Sequence, residues 1–185
     1  MSVSIESAQF PRDAKIIHTL FSGYATSLGI DLTFQSFQDE LDTLPGKYAE
    51  SQGGALLIAR AYSKNQEQSD MVSPSSSTSN PSPTPQIPPV VGCVALRRST
   101  DNWCEMKRLY VLPEARGLRL GDNLVVAVLE RASALGYRGI RLDTLPDMTA
   151  AQRLYRRYGF IEITPYYDTP IKTTIFMGYE FSQQQ

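Results

Sequence analysis

Residues 114–144 read EARGLRLGDNLVVAVLERASALGYRGIRLDT, and the opening turn holds Arg116, Gly117, Arg119 and Gly121 directly in front of an apolar helical pattern. That pattern places Leu124, Val128, Ala132 and Leu135 on one inner face. A helix N-terminus presents backbone N–H groups without intrahelical acceptors, at the positive end of the helix dipole. Glycine lets such backbone approach a ligand closely. A strand, this turn and a helix together form a cradle suited to phosphate, with donors from Gly117 to Asp122 and charge from Arg116 and Arg119. Each charge-assisted hydrogen bond contributes about 1.5–3 kcal/mol, so several would hold a pyrophosphate. A solvated loop of the same composition is the alternative. Two nucleotide motifs are excluded. A Walker loop ends in Gly-Lys-Ser/Thr, whereas Gly121 is followed by Asp122-Asn123, and no GxGxxG fingerprint is present.

The elements around this turn follow from hydrophobic periodicity. Residues 3–8 read as a strand. Residues 11–29 open on Pro11, repeat Ile16, Ile17, Leu20, Phe21, Tyr24 and Leu28 at helical spacing, and end at Gly29. A second helical region lies around 34–44, before Pro45-Gly46. Strand patterns occupy 53–62, 90–98, 103–112 and 139–144. Residues 147–160 read as a helix capped by Asp147 and closed by Gly159, with Met148, Ala151, Tyr155 and Tyr158 on one face. Two last strands lie at 160–164 and 173–181. The order predicts a mixed α/β fold with one βαβ crossover from 103 to 143. One domain over residues 1–185 is expected, interrupted at about 64–89 by a flexible insertion at a hairpin tip. There, SPSSSTSNPSPTPQIPP carries no charge and too little apolar surface to offset its ordering entropy.

A chain of 185 residues has room for a real core, and its net charge of −1 argues against a general nucleic-acid or anionic-membrane binder. No apolar run is long enough to span a bilayer, and the first residues lack a basic-then-apolar signal pattern. The two cysteines, Cys93 and Cys104, sit in strand-like runs and read as buried, reduced thiols. That suggests a cytoplasmic setting, with the nucleus left open, and argues against a disulfide scaffold or a thiolate metal site. His18 is the only histidine, which disfavours Ser-His and Cys-His catalysis unless His18 itself is the base.

EMKRLYVLPEARGLRLGDNLVVAVLERASALGYRGIRLDT, together with AAQRLYRRYGF, resembles the core of the GCN5-related N-acetyltransferases, the GNAT superfamily, over residues 103–163. The family signature Arg/Gln-x-x-Gly-x-Gly/Ala corresponds to Arg116-Gly117-Leu118-Arg119-Leu120-Gly121, with Arg119 in place of the first signature glycine. The LYxxxGF element corresponds to Leu154-Tyr155 through Gly159-Phe160. The resemblance implies a single-domain α/β fold: a mixed, mostly antiparallel sheet, one parallel crossover at the cofactor site, and flanking helices. It implies acetyl-CoA as acyl donor, no metal, and direct transfer of acetyl to an amine.

By the same resemblance, the backbone of Leu109, Tyr110 and Val111 would pair with the pantetheine arm, with Val111 N–H toward the thioester carbonyl. Arg116, Gly117, Leu118, Arg119, Leu120, Gly121 and Asp122 would hold the diphosphate. Glu105 matches the position of a catalytic glutamate, and strand alternation puts it on one face with Lys107, Leu109 and Val111. A salt bridge within the sheet is the other reading of Glu105. Tyr155 is the expected donor to the leaving sulfur. Asp143 ends its strand where α/β ligands lie, so it is a candidate for ammonium binding or a share of the base role, against simple loop bonding. With Thr144, Tyr166, Tyr167 and Asp168 it could make an aromatic, acidic acceptor pocket, and residues 166–168 read equally as a plain hairpin loop. The leading expectation is an N-acetyltransferase acting on a small primary amine or amino-acid-like compound. A peptide N-terminus or lysine is a second acceptor class, and a catalytically silent CoA-binding regulatory module is the reading from another class. Homodimerisation is left open.

Overall fold

The computed structural model describes residues 2–32, 36–62, 87–99 and 102–182. Alternating and helical hydrophobic patterns resolve there into one sheet covered on both faces. The strands are β1 (Ser2–Ser7), β2 (Ala55–Tyr62), β3 (Val90–Arg98), β4 (Trp103–Val111), β5 (Gly139–Thr144), β6 (Ile161–Glu162) and β7 (Ile175–Glu180). Their order across the sheet is β1-β2-β3-β4-β5-β7-β6. Among the described residues only β4 and β5 pair in parallel; the other neighbours are antiparallel. Four helices complete the described fold: α1 (Ala14–Leu28), α2 (Phe37–Asp42), α3 (Leu120–Ala134) and α4 (Thr149–Arg157). The mixed sheet and the single crossover through α3 are as the sequence predicts. The Ser/Pro-rich insertion lies, as far as residue 86, outside the described residues; the strands flanking it, β2 and β3, are antiparallel neighbours.

The apolar stripe of α3 accounts for one half of the core. Leu120, Leu124, Val125, Val128 and Ala132 are buried in one cluster with Leu57, Val94, Met106 and Ile140 of the sheet. On the opposite face, Ile17, Leu20 and Phe21 of α1 join Tyr48, Ile58, Cys93 and Ala95. Each fully buried side chain of this kind contributes about 1.5–3 kcal/mol relative to exposure. Helix α1 stops at Gly29, whose φ of 63° is the left-handed cap expected of that residue.

Some boundaries differ from the sequence reading. Asp147 does not cap α4: Met148 occupies the cap position, and the Gln152 amide instead donates to the Leu145 and Pro146 carbonyls at 2.8 and 3.1 Å. The penultimate strand shortens to Ile161–Glu162, and short 3-10 turns at Gly46–Tyr48, Glu50–Gln52 and Pro113–Ala115 were not read from the pattern.

A buried ion pair ties α2 to the sheet. Arg108 of β4 donates through Nε to Glu40 Oε1 at 2.8 Å, and Lys47 Nζ lies 2.7 Å from Glu40 Oε2. Burial alone would raise the Glu40 carboxyl, but the hydrogen bonds and charges of Arg108 and Lys47 outweigh it and hold the group at about 2. A folded value below the unfolded one gives stability that is complete above the unfolded value and lost as pH falls toward 2. Denaturant titrations between pH 5 and pH 2 should therefore lose about 2–3 kcal/mol through this group. Glu40→Gln should be less stable at pH 7 but show a flatter slope in that window; an unchanged slope would rule out the assignment.

Candidate active site

The cradle begins where β4 ends. Gly117 has φ 88° and Arg119 φ 56°, so two left-handed residues turn the chain before α3 starts at Leu120. Arg119 thus adopts the conformation that the signature glycine would favour, at about 1–2 kcal/mol for a side-chain-bearing residue. Asn123 N–H bonds back to the Arg119 carbonyl at 3.1 Å. The amides of Leu120, Gly121 and Asp122 precede the first such bond and point out of the helix end. A Cβ on Gly121 would come within 3.2 Å of a Leu154 methyl, so the small residue lets α4 approach. The Asp122 carboxylate turns aside to α4, where Arg157 and the Tyr158 hydroxyl meet it at 2.9 and 3.0 Å. This draws its negative charge away from the cradle.

The cradle opens into a cleft of about 480 Å³. Leu109, Tyr110, Val111, Arg116, Gly117, Arg119, Leu120, Gly121 and Asp122 line it. Leu118 does not; its side chain faces solvent and the residue is 45% exposed. Tyr24, Ser27, Met148, Ala150, Ala151 and Leu154 complete the walls and were not anticipated.

The cleft exists because β4 and β5 part. They pair only from Trp103 with Gly139 to Glu105 with Arg141. β5 then continues against β7 as far as Thr144, while β4 stays with β3. An extra residue in β4 accompanies the parting: Ala95 pairs with Lys107 but Cys93 with Tyr110, and Arg108 has φ 57°. This bulge corrects the expectation of unbroken alternation. Met106, Leu109 and Val111 pack toward the α3 cluster, so Leu109 and Val111 are not on the Glu105–Lys107 face.

The expected catalytic residues occupy different depths. Tyr155 is buried and lines the gap between β4 and β5, beside Leu109, Leu142 and Asp143. Burial, and then the charges of Tyr24 and Asp143, raise its phenol well above the ordinary range, so it remains protonated. Asp143 lines both this gap and a smaller pocket on the α1 side, and accepts from Lys107 Nζ at 2.6 Å. Glu105 is 2% exposed and lines neither cavity. Arg97 Nε donates to its Oε2 at 2.6 Å, the Tyr166 hydroxyl donates to its Oε1 at 2.9 Å, and Lys107 Nζ lies 3.6 Å away. Tyr166 thus turns inward, with Arg141 stacked on its ring at 4.0 Å, while Tyr167 and Thr144 line the α1-side pocket. Asp168 is exposed. Lys107 and Arg108 carry the signal missed in the sequence: two adjacent charged residues in a strand cannot both follow its alternation and mark a break in it.

Cys93 and Cys104 are buried, and desolvation pushes both thiols up to about 12. Neither is a nucleophile at neutral pH. Iodoacetamide at pH 7.5 should leave both unmodified in the native protein; rapid labelling measured by mass spectrometry would contradict their burial. His18 is exposed on α1, away from the site. Among the described residues no group of His, Cys, Asp or Glu could hold a metal ion, and no helix is long and apolar enough to cross a membrane.

Residues 85–160 match the model of the acetyltransferase (GNAT) family. An uncharacterized N-acetyltransferase of Schizosaccharomyces pombe is 34% identical over 183 residues, 98% of this chain and 97% of its own. Among solved structures, a GNAT-family acetyltransferase of Staphylococcus aureus Mu50 superposes with a TM-score of 0.68 at 19% identity, covering 97% of this chain and 99% of that one. The PaiA N-acetyltransferase of Thermoplasma acidophilum, solved in complex with coenzyme A, superposes at 0.65 and 18% identity over 98% of this chain and 100% of its own. A parted β4–β5 pair, a glycine-turned helix start and a full-length relative of this kind place the chain in the GNAT acetyltransferase family.

Proposed function

We propose that the protein transfers acetyl from acetyl-CoA to a primary amine of a small molecule. The observation that carries this reading is the junction of two cavities through the β4–β5 gap. The cleft and the α1-side pocket share Tyr24 and Met148 as walls, and Asp143 and Tyr155 face the gap beside them. Acetyl-CoA, when bound, supplies an acetyl group activated as a thioester. The residues present fit it. The amides of Leu120, Gly121 and Asp122 donate to the diphosphate, and Arg116 and Arg119 add charge. The backbone of Leu109–Val111, paired with β3 on one side, offers its other edge to the pantetheine amides, and Val111 N–H is available to polarise the carbonyl.

A primary amine with pKa about 10.4 needs about 4–5 kcal/mol to lose its proton at pH 7. Asp143 takes that proton and orients the nitrogen. Lys107 holds Asp143 in place, and Glu105 supports Lys107 and Tyr166 from behind as a positioning residue. As the C–N bond forms and the C–S bond breaks, the Tyr155 hydroxyl donates to the sulfur that gains charge. A small acceptor is favoured because the α1-side pocket is narrow and enclosed by Tyr24, Tyr167 and the residues around Ile30 and Ile171.

Calorimetric titration with acetyl-CoA, followed by a thiol-release assay over an amine panel, tests the proposal. Binding and amine-dependent thiol release are expected. Arg116→Ala and Arg119→Ala should each weaken acetyl-CoA binding about tenfold, from the loss of one charge-assisted contact. Absence of binding, or binding without release for any amine, would overturn it.

A further inference from the structure

Tyr24 alone among the described residues lines the cleft, the β4–β5 gap and the α1-side pocket. The glycine before it makes this possible. A Cβ at Gly23 would come within 3.2 Å of the Tyr110 ring, so α1 lies close against β4. The Tyr24 ring meets Tyr110 edge-on at 6.4 Å, and the Arg108 guanidinium carbon lies 5.5 Å from its centroid. Burial pushes the phenol up to about 12, with Arg108 pulling against it, so Tyr24 keeps its proton at neutral pH. No group among the described residues accepts that proton.

The charge behind this phenol has a definite sign. Glu40 is shared by Arg108 at 2.8 Å and Lys47 at 2.7 Å, so the buried group keeps a net positive charge. Asp143, the anion lining the gap, is matched by Lys107 at 2.6 Å. A cation held beside a protonated phenol favours negative charge on the atom to which the phenol donates. In acetyl transfer to an amine, such charge gathers on the carbonyl oxygen as the C–N bond forms, and on the sulfur as the C–S bond breaks. Tyr155 comes to the gap from the α3 side of the sheet, where it packs in that cluster. Tyr24 comes from α1, on the opposite face, beside Arg108. Building on the acetyl-transfer reading, we infer that Tyr24 is a second catalytic tyrosine, which donates to the thioester carbonyl oxygen alongside the Val111 N–H. Tyr24 keeps its proton throughout. The carbonyl π pair moves onto oxygen as nitrogen adds to carbon, and it returns as the thiolate leaves. Arg108 acts through Tyr24 as a positioning residue.

The test reads the carbonyl directly. Acetyl-CoA isotopically labelled at the thioester carbonyl is bound to the protein without amine, and its stretch is recorded by infrared difference spectroscopy. In the wild type the stretch should lie below that of free acetyl-CoA. Tyr24→Phe should move it back toward the free value and lower kcat about 10²-fold, with KM for the amine nearly unchanged. The ring remains in this variant, so its packing on Tyr110 and Arg108 is kept. Replacing Tyr24 by 3-fluorotyrosine, a more acidic donor of nearly the same shape, should move the stretch further down, and this arm decides if Tyr24→Phe does not fold. Tyr155→Phe should leave the stretch where it is, since that hydroxyl serves the sulfur. A carbonyl stretch that ignores both changes at Tyr24 overturns the inference, whatever happens to kcat, and leaves acetyl transfer intact. A stretch that responds to Tyr24 while no amine releases thiol has the opposite meaning: the donor stands and the transfer reading falls.

Discussion

Tyr155→Phe is expected to lower kcat by about 10²-fold with acetyl-CoA affinity nearly unchanged, because a single donor to developing charge in a dry site contributes roughly 2.7–4 kcal/mol. The ring remains in both forms, so its packing against Phe160 at 5.9 Å is preserved. Only the hydroxyl in the β4–β5 gap disappears. Its raised pKa bears on the mechanism. An ordinary thiol, with pKa about 8.5, is a weaker base as thiolate than a phenolate whose pKa already lies near 10, so full proton transfer from Tyr155 is uphill. Burial makes it steeper still, and the group acts as a hydrogen-bond donor throughout. The variant's turnover should consequently stay low across the pH range. Turnover equal to wild type would remove Tyr155 from the chemistry; an equal rise in the acetyl-CoA Kd would reassign it to binding.

Asp143→Asn should reduce kcat/KM about 10²–10³-fold at pH 7, the range expected for loss of a positioned base. The sign of the pH dependence is the sharper test. Without an acceptor for the proton, the variant uses only amine that is already neutral, and that fraction grows tenfold per pH unit below the amine's pKa. Its deficit should shrink steadily as pH rises from 7 to 9. A loss of the same size at every pH would mean that Asp143 only shapes the pocket. Because the exchange also leaves Lys107 with Glu105 alone, at 3.6 Å, thermal unfolding of the variant is measured alongside.

The turn and strand edge that line the cleft were legible in the sequence because they are local. Residues 109–122 run consecutively from strand edge to helix start, and glycine, arginine and helical periodicity each leave a mark there. Leu118 is the exception: a motif states which positions belong to a turn but not which way each side chain points. The pocket on the α1 side was largely hidden. Glu40 and Arg108 meet across 68 positions of sequence, and Tyr24 reaches both cavities from α1. Periodicity also assumes an unbroken pleat, so it carried Glu105 and Leu109 to the same face. One extra residue at Arg108 reverses that phase, and Glu105 ends against Arg97 behind the pocket wall.

That additional residue also makes position 108 a poor place for a deletion. Deleting position 108 would restore uniform pleating, let β4 hydrogen-bond along the whole of β5, and remove a backbone conformation that L-residues resist. The shortened protein would close the gap that Tyr155 and Asp143 line, and it would lose the buried Arg108–Glu40 pair. Tolerance of single-residue deletions should therefore be lowest here, because the gap closes and the buried Glu40 carboxylate is left with Lys47 alone.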